Sequence, residues 1–301
     1  MFRDNTGEPF PQVIPNKVVE IKSKILRSVR RRFWSYFSNV QEAVRCSRST
    51  LAEKRLIDVP TAELVQQLPI IINNRNRYSS LKRLIERLEQ DGYSRIVVLD
   101  NDSTYPPLLA YYGTLSHQVV RLGKNVGPYA LWKVPEVAHL RSSFFVYTDS
   151  DVVPDIGCPA DYVYRFLDEM RKNPTVQKVG FSLKIDDLPD CFAERESVVE
   201  WESRFWEEVS PSGFFRASID TTFALYRPYG SHSNQESSLR SPPPYTALHL
   251  PWYIDSAHLD PEEQYYREHV APLCSWWTAG RFQERLETYR QRTHKAANHK
   301  S

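Results

Sequence analysis

The sequence predicts an α/β protein, built on a parallel, doubly wound, twisted sheet flanked by helices and carrying a helical extension at its N-terminus. Two observations predict it. From Leu68 onward, apolar runs of strand length alternate with amphipathic segments of helix length. The runs are apolar throughout rather than at every second position, as expected of strands covered on both faces. At 301 residues and 41% hydrophobic content, the chain can bury a sizeable core as one large domain with an appendage or as two small domains.

Residues 1–16 read as a tail, because Pro9, Pro11 and Pro15 prevent regular helix. A long helix follows, with Val18, Ile21, Ile25, Val29, Phe33, Tyr36, Phe37 and Val40 at helical spacing and Lys22, Arg27, Arg30 and Arg31 on other faces. Lys17 to Arg55 holds eleven Lys and Arg against Glu20, Glu42 and Glu53, a local charge of +8 in a chain whose net charge is +2. The remainder is therefore mildly acidic, which argues against a nucleic-acid binder. Two readings stand for the basic helix: packing on the core, or peripheral contact of residues 17–55 with an anionic membrane. The first residues lack the apolar stretch of a signal peptide, and no run of about 18 apolar residues occurs. Cys46, Cys158, Cys191 and Cys274 have neither metal-ligand nor disulfide-framework spacing. A cytoplasmic protein with reduced thiols is expected, peripheral at the inner face of the membrane if the helix meets lipid. The division expected is residues 1–67, 68–155 and 156–301, the last ending in a helical segment.

Leu68 to Ile72 predicts the first strand, and Tyr78 to Gln90 a helix with Leu81, Leu84, Ile85 and Leu88 on one side, ended by Gly92. Arg95 to Leu99, Val119 to Leu122 and Phe144 to Tyr147 predict further strands, with a short helix over Tyr105 to Tyr112. In the second half Gly180 to Ile185 and Ala217 to Tyr226 read as strands, Val198 to Glu208 as an aromatic helix and Ser241 to Pro244 as a loop.

The strand Phe144 to Tyr147 runs into Thr148-Asp149-Ser150-Asp151, a D-x-D pattern that aims two carboxylates at a common point. Hard divalent metals take oxygen ligands and share their sphere with substrate phosphates, so a cation there would neutralise charge on a departing diphosphate. The plainer reading is a solvated turn. The first strand ends in Asn73-Asn74-Arg75-Asn76-Arg77 and the second in Asp100-Asn101-Asp102-Ser103-Thr104, so polar groups gather after three strands. Ligands of open α/β sheets sit at those carboxyl ends. Arg77, Arg121 and Lys124 are placed to meet a diphosphate.

In order and spacing, Ile70-Ile71-Ile72-Asn73-Asn74-Arg75-Asn76-Arg77, Val97-Val98-Leu99-Asp100-Asn101-Asp102-Ser103, Asn125-Val126-Gly127 and Asp149-Ser150-Asp151 resemble glycosyltransferase family 2 and its GT-A relatives, over residues 68–155. The resemblance implies a GT-A-type, Rossmann-like fold and a nucleotide-diphosphate-sugar donor. It puts Asn74, Arg77 and Asp100 near base or ribose, with Asp102, Arg121, Lys124 and Asn125 also on the donor, and makes Asp149 and Asp151 the motif for Mn2+ or Mg2+. It further implies a glycan or glycolipid acceptor and a place in polysaccharide biosynthesis. Asn73 stands where the family often has proline, Asn74 where it often has threonine and Asp102 where glycine is usual, which leaves base and sugar identity open.

An inverting transferase, the outcome expected here, needs a base to deprotonate the acceptor hydroxyl. Asp220 is the first candidate, with Glu202 and Asp255 as rivals; equally, Asp220 could anchor its own loop through Thr221 or Thr222. Retaining chemistry would not require this base. GT-A enzymes often contribute a late histidine to the ion, so His249 could join the aspartates or be a structural histidine. Trp252, Tyr253, Trp276 and Trp277 could stack on sugars or fill the core. Two other functions fit the same frame. A sugar-1-phosphate nucleotidyltransferase would want a glycine-rich loop after the first strand, which Asn73 to Arg77 does not offer. A non-catalytic glycan- or membrane-associated module would have kept the fold without turnover.

Overall fold

Runs of Ile, Val and Leu too short for helices and too apolar for exposed strands form the sheet, with amphipathic helices covering it. The computed structural model of the protein describes residues 40–56, 59–233, 237–269, 283–284 and 286–291. The chain divides into two units, Met1–Arg48 and Ser49–Ser301. In the first, residues 40–48 are helical, and Arg45 pairs with Glu42 one turn away. Val18 to Phe37 of the expected basic helix lie outside the described residues, as do Cys274, Trp276 and Trp277. Among the described residues no helix is long and apolar enough to cross a membrane.

The second unit begins with helical residues 49–56 (α1), then α2 (Thr61–Gln67), β1 (Ile70–Asn74), α3 (Tyr78–Gln90), β2 (Ile96–Asp100), α4 (Pro106–Tyr112), β3 (Gln118–Arg121), α5 (Ala130–Lys133) and β4 (Phe145–Asp149). It continues with β5 (Val152–Pro154), α6 (Tyr162–Lys172), β6 (Lys178–Leu183), α7 (Arg195–Ser203), β7 (Phe215–Arg216), β8 (Ala224–Tyr226), β9 (Ser238–His249) and α8 (Pro261–His269). One sheet runs β3-β2-β1-β4-β8-β6-β9-β5, with β7 on β9. The pairs β3–β2, β2–β1 and β1–β4 are parallel, as expected. Beyond β4 the sheet is mixed, since β8 is antiparallel to both β4 and β6 while β6 and β9 are parallel.

Because side chains alternate across a strand, each strand of the parallel half feeds two cores. Ile70, Ile72, Val98 and Val146 join Leu81, Leu84, Ile85 and Leu88 of α3 in one. Ile71, Val97, Leu99, Phe145 and Tyr147 join Ala130, Leu131, Val137 and Leu140 in the other. Each fully buried Leu or Ile contributes about 2 kcal/mol from its transfer out of water. The α3 boundaries are those predicted; β1, β2 and β4 start one or two residues later and run on into the polar residues, because the parallel ladder extends to Asn74, Asp100 and Asp149, while β3 starts and ends one residue earlier.

Three expectations for the second half change. Ser241 to Pro244 is not a loop but the middle of β9, tolerated where the ladder with β6 shifts register between Phe181 and Ser182. Of Ala217 to Tyr226 only β8 is strand, so Asp220 lies in an irregular segment before it. The aromatic helix ends at Ser203 and tightens into a 3-10 turn over Arg204–Trp206.

Candidate active site

The carboxyl edge of β1, β2 and β4 collects the polar residues. In the parallel register Asn73 stands beside Asp149 and Asn74 beside Asp100. Asn73 Nδ2 donates to Asp149 Oδ1 at 3.2 Å, and Thr221 Oγ1 donates to Asp149 Oδ2 at 2.5 Å. Asp149 therefore has a neutral donor on each oxygen and, among the described residues, no cationic side chain bonded to it. Burial, and then the neighbouring charge of Asp151, push its pKa well above the usual carboxylate range.

Asp151 lies in the turn between β4 and β5, and the antiparallel β5–β9 register sets His249 opposite Val152, next to it. The backbone N–H of Leu250 donates to the Asp151 carbonyl at 2.9 Å, pinning the end of β9 there. His249 Nε2 is 3.9 Å from Asp151 Oδ1, too far for a hydrogen bond, and its Nδ1 is buried without a partner. Burial lowers the His249 pKa, which keeps the imidazole neutral near pH 7 with a lone pair to offer. Trp252 is buried core and meets the His249 ring edge-on at 4.6 Å, while Tyr253 donates to Asp187 at 2.7 Å. Among the described residues no three His, Cys, Asp or Glu side chains already stand close enough to hold a metal ion together.

On the donor side, Asp100 is fully buried, 2.6 Å from Arg121 on its register partner β3, and accepts from Tyr112 Oη at 3.1 Å. Asn74 Nδ2 donates to the same Tyr112 hydroxyl at 2.9 Å, so that tyrosine bridges two strand ends. Burial raises the Tyr112 pKa, with the Asp100 charge adding to it, so it stays a neutral phenol. Asn125 Oδ1 accepts from Gly127 N at 2.9 Å in an Asx turn, and Asn101 holds that turn through Val126 N and Gly127 O. Lys124 is exposed beside it. Asp102 takes the left-handed conformation at φ 67° and Asn76 at φ 54°, which explains why a glycine suits position 102. Asn76 Oδ1 accepts from Thr104 N and Tyr105 N, tying the β1 loop to the β2 loop. Arg77 donates to Glu263 of α8, and its guanidinium lies 3.5 Å from the Tyr266 ring centre.

The five residues after and including Asn73 share one property. Asn73 Oδ1, Asn74 Oδ1, Arg75 Nε, Asn76 Nδ2 and Arg77 Nε are all buried and without a hydrogen-bond partner among the described residues. Such atoms are rare in folded proteins, and a consecutive run of them calls for polar groups that the chain itself does not supply.

The three candidate bases fare differently. Asp220 is exposed and accepts from Thr222 N at 3.3 Å and Thr222 Oγ1 at 3.0 Å, the loop-anchoring contact, yet it also lies within electrostatic range of Asp149 and His249. Glu202 is buried in an ion pair with Arg240 at 2.9 Å. Burial raises its pKa against the pull of Arg240. Asp255 bonds His258 at 2.9 Å and Ala257 N at 2.9 Å, and His258 lowers its pKa. Sequence reasoning gave no site role to Tyr112, Glu262, Glu263 and Tyr266, and named Asn73 and Thr221 only as part of a strand-end cluster and a loop anchor, not as the partners of Asp149. Of these only Asn73 could have been found from strand register, since it lies on β1 beside Asp149.

No family model matches the chain, and no curated protein matches it. Among solved structures it is similar to the crystal structure of GalNAc-T7 with UDP, GalNAc and Mn2+, at 13% identity and a TM-score of 0.40, over 75% of this chain and 55% of that one. The chain spans about half the length of that protein, and a likeness this slight carries no argument about chemistry.

Proposed function

We propose that the protein transfers a sugar from a nucleoside-diphosphate donor to an acceptor hydroxyl of a glycan or glycoconjugate, with a divalent cation held by Asp151, Asp149 and His249. The observation that carries this reading is the unbroken run of unpartnered buried polar atoms from Asn73 to Arg77, set against a pair of mutually repelling carboxylates. The residues fit a cation: two carboxylates whose repulsion it would relieve, and a neutral imidazole whose Nδ1 has no partner. When bound, such an ion neutralises charge on the leaving diphosphate.

The chain's own residues do the rest. Asn74, Asp100, Asp102 and Asn125 offer donors and acceptors to base and ribose, and Arg77, Arg121 and Lys124 offer cations to the diphosphate. Asp220, solvent-accessible and near Asp149 and His249, is the group to take the proton from an attacking hydroxyl. Glu202 is set aside because its carboxylate serves Arg240.

A thermal-shift screen of nucleoside-diphosphate sugars with and without Mn2+ tests this, since a donor bound at 100 times its dissociation constant stabilises the fold by about 2.7 kcal/mol. A Mn2+-dependent shift with one donor, lost in Asp151→Ala, is the expected result. No shift with any donor would sink the reading.

A further inference from the structure

Helix α8 covers the carboxyl ends of β1 and β2, where Glu262 caps α3 by accepting from Tyr78 N at 2.8 Å and Ser79 N at 3.0 Å. Farther along the same edge, at β6 and β9, the sheet leaves a cleft. Its partner on β6 shifts there: Ser241 of β9 pairs with Phe181, but Thr246 already pairs with Ser182, so residues 242–245 arch out of the ladder. Ser241 Oγ closes the arch on the Tyr245 carbonyl at 2.6 Å, and Tyr245 Oη ties it to Asp161 at 3.0 Å. Pro243 and Pro244 in the arch line a cleft of about 280 Å³, with Trp206 and Ile185 as further apolar walls and Asp155, Lys184 and Asp186 as its charged groups. That volume is near the lower end of small-molecule sites, about 300 Å³, and suits a single ring.

The lining says what kind of ring. Trp206, whose ring packs on Phe215 at 5.2 Å, has its indole N–H buried with no hydrogen-bond partner among the described residues, and a buried tryptophan normally finds one. Lys184 Nζ donates to Asp186 at 2.7 Å and pairs with Asp187 at 2.9 Å, while Asp155 Oδ1 accepts from Ile156 N at 2.8 Å, so the charged groups are held in place. Two carboxylates against one ammonium already paired with carboxylates repel an anion and accept hydroxyl donors. A neutral ring with an apolar face and hydroxyls at its rim meets all of these demands.

The cleft shares a face of the sheet with Asp149. Ala224 of β8 pairs with both Tyr147 of β4 and Gly180 of β6, so these positions lie on one face. Two residues on from Tyr147 is Asp149, and four on from Gly180 is Lys184, whose N–H extends the ladder to the Ala247 carbonyl at 2.8 Å. Both stand at carboxyl ends, because β4 and β6 are each antiparallel to β8. With only β8 between them, the two strands are roughly 10 Å apart.

We infer that this cleft holds a neutral sugar unit of the acceptor, remote from the unit whose hydroxyl reacts, with the ring on Trp206 and the two prolines and its hydroxyls on Asp155, Asp186 and the indole N–H. The acceptor is therefore an oligosaccharide rather than a lone sugar. The inference rests on the reading of Asp149 and Asp151 as the place of transfer.

The test is retention of the purified full chain on an array of immobilised neutral oligosaccharides, uronic-acid-bearing oligosaccharides and single sugars, with melting curves recorded for every variant. The parent should be retained by neutral oligosaccharides and not by the other two groups. Trp206→Ala should weaken that retention by about 10- to 30-fold, the usual effect of removing an aromatic anchor. Trp206→Phe, which keeps a ring but lacks the N–H, should fall between. A parent retained by no neutral oligosaccharide, a parent that prefers uronic-acid chains or single sugars, or equal retention of parent and Trp206→Ala overturns the inference. Should Trp206→Ala not fold, Trp206→Phe decides, and parental retention there overturns it. The donor screen above separates the two readings: retention lost in Trp206→Ala with no donor shift keeps the saccharide cleft and removes the transfer reading, whereas a donor shift without retention removes only the cleft.

Discussion

The parallel half, β1 to β4, leaves a partnerless buried atom on each of five consecutive residues at its strand ends, whereas in the mixed half, β5 to β9, such atoms are scattered, as at Ser182, Trp206 and His249, and the deeply buried charges Lys178, Arg227 and Arg240 are tied to backbone carbonyls. Lys178 is fully buried and donates to the Ile219 carbonyl at 2.7 Å. Arg227 reaches Glu53 at 2.5 Å and the carbonyls of Val176, Met170 and Asn173, and Arg240 takes Glu202 and the Ser218 carbonyl. Buried charges tied into backbone carbonyls serve the fold, because a buried donor without a partner costs free energy. A consecutive run of open buried polar atoms, as at Asn73 to Arg77, is what the proposed donor would satisfy.

The contrast can be broken in four places. Asp220 belongs by sequence to the mixed half but is exposed and within electrostatic range of Asp149 and His249; Asp220→Asn should cut turnover by about 100- to 10,000-fold at unchanged melting temperature, measured as product formed under saturating donor. A loss of less than tenfold would return Asp220 to its loop-anchoring role and favour a retaining outcome. Glu202→Ala should do the opposite, costing about 3–5 kcal/mol in urea unfolding because it strands Arg240 as a buried unpaired charge. Next comes Gly180, where an added Cβ would meet the Phe223 carbonyl oxygen at 2.4 Å and the Ala224 Cβ at 2.7 Å. Gly180→Ala should therefore lower stability by about 1–3 kcal/mol, since β6 and β8 would have to part. The smallest effect belongs to His232, stacked on Tyr129 at 4.3 Å, where burial holds the imidazole below its ordinary value of 6.5. The unfolded chain then binds the proton more readily, so stability falls as pH drops below about 6.5 towards the folded value. His232→Gln should flatten that slope below pH 6.5 in unfolding titrations.

What the sequence shows of all this follows contact distance along the chain. Helix α3 is legible to the residue, because Leu81, Leu84, Ile85 and Leu88 carry the helical period locally and Gly92, at φ 87°, supplies the stop. Asp149 and Asp151 are legible because the end of β4 and the turn directly after it carry both. β9 is not, since three prolines look like a loop until β6 and β5 flank it. Glu202 looks like a free carboxylate until β9 brings Arg240 to it from 38 positions away. The pairing of Glu263 with Arg77 spans 186 positions and leaves no local trace.

Capping α3 from a distant helix has a consequence for how the protein breathes. The amide protons of Tyr78 and Ser79 are tied up by Glu262 rather than by their own turn, so they can trade with deuterium only when α8 lifts away. Their exchange rates thus clock the opening of this edge of the molecule, residue by residue, without any substrate being present.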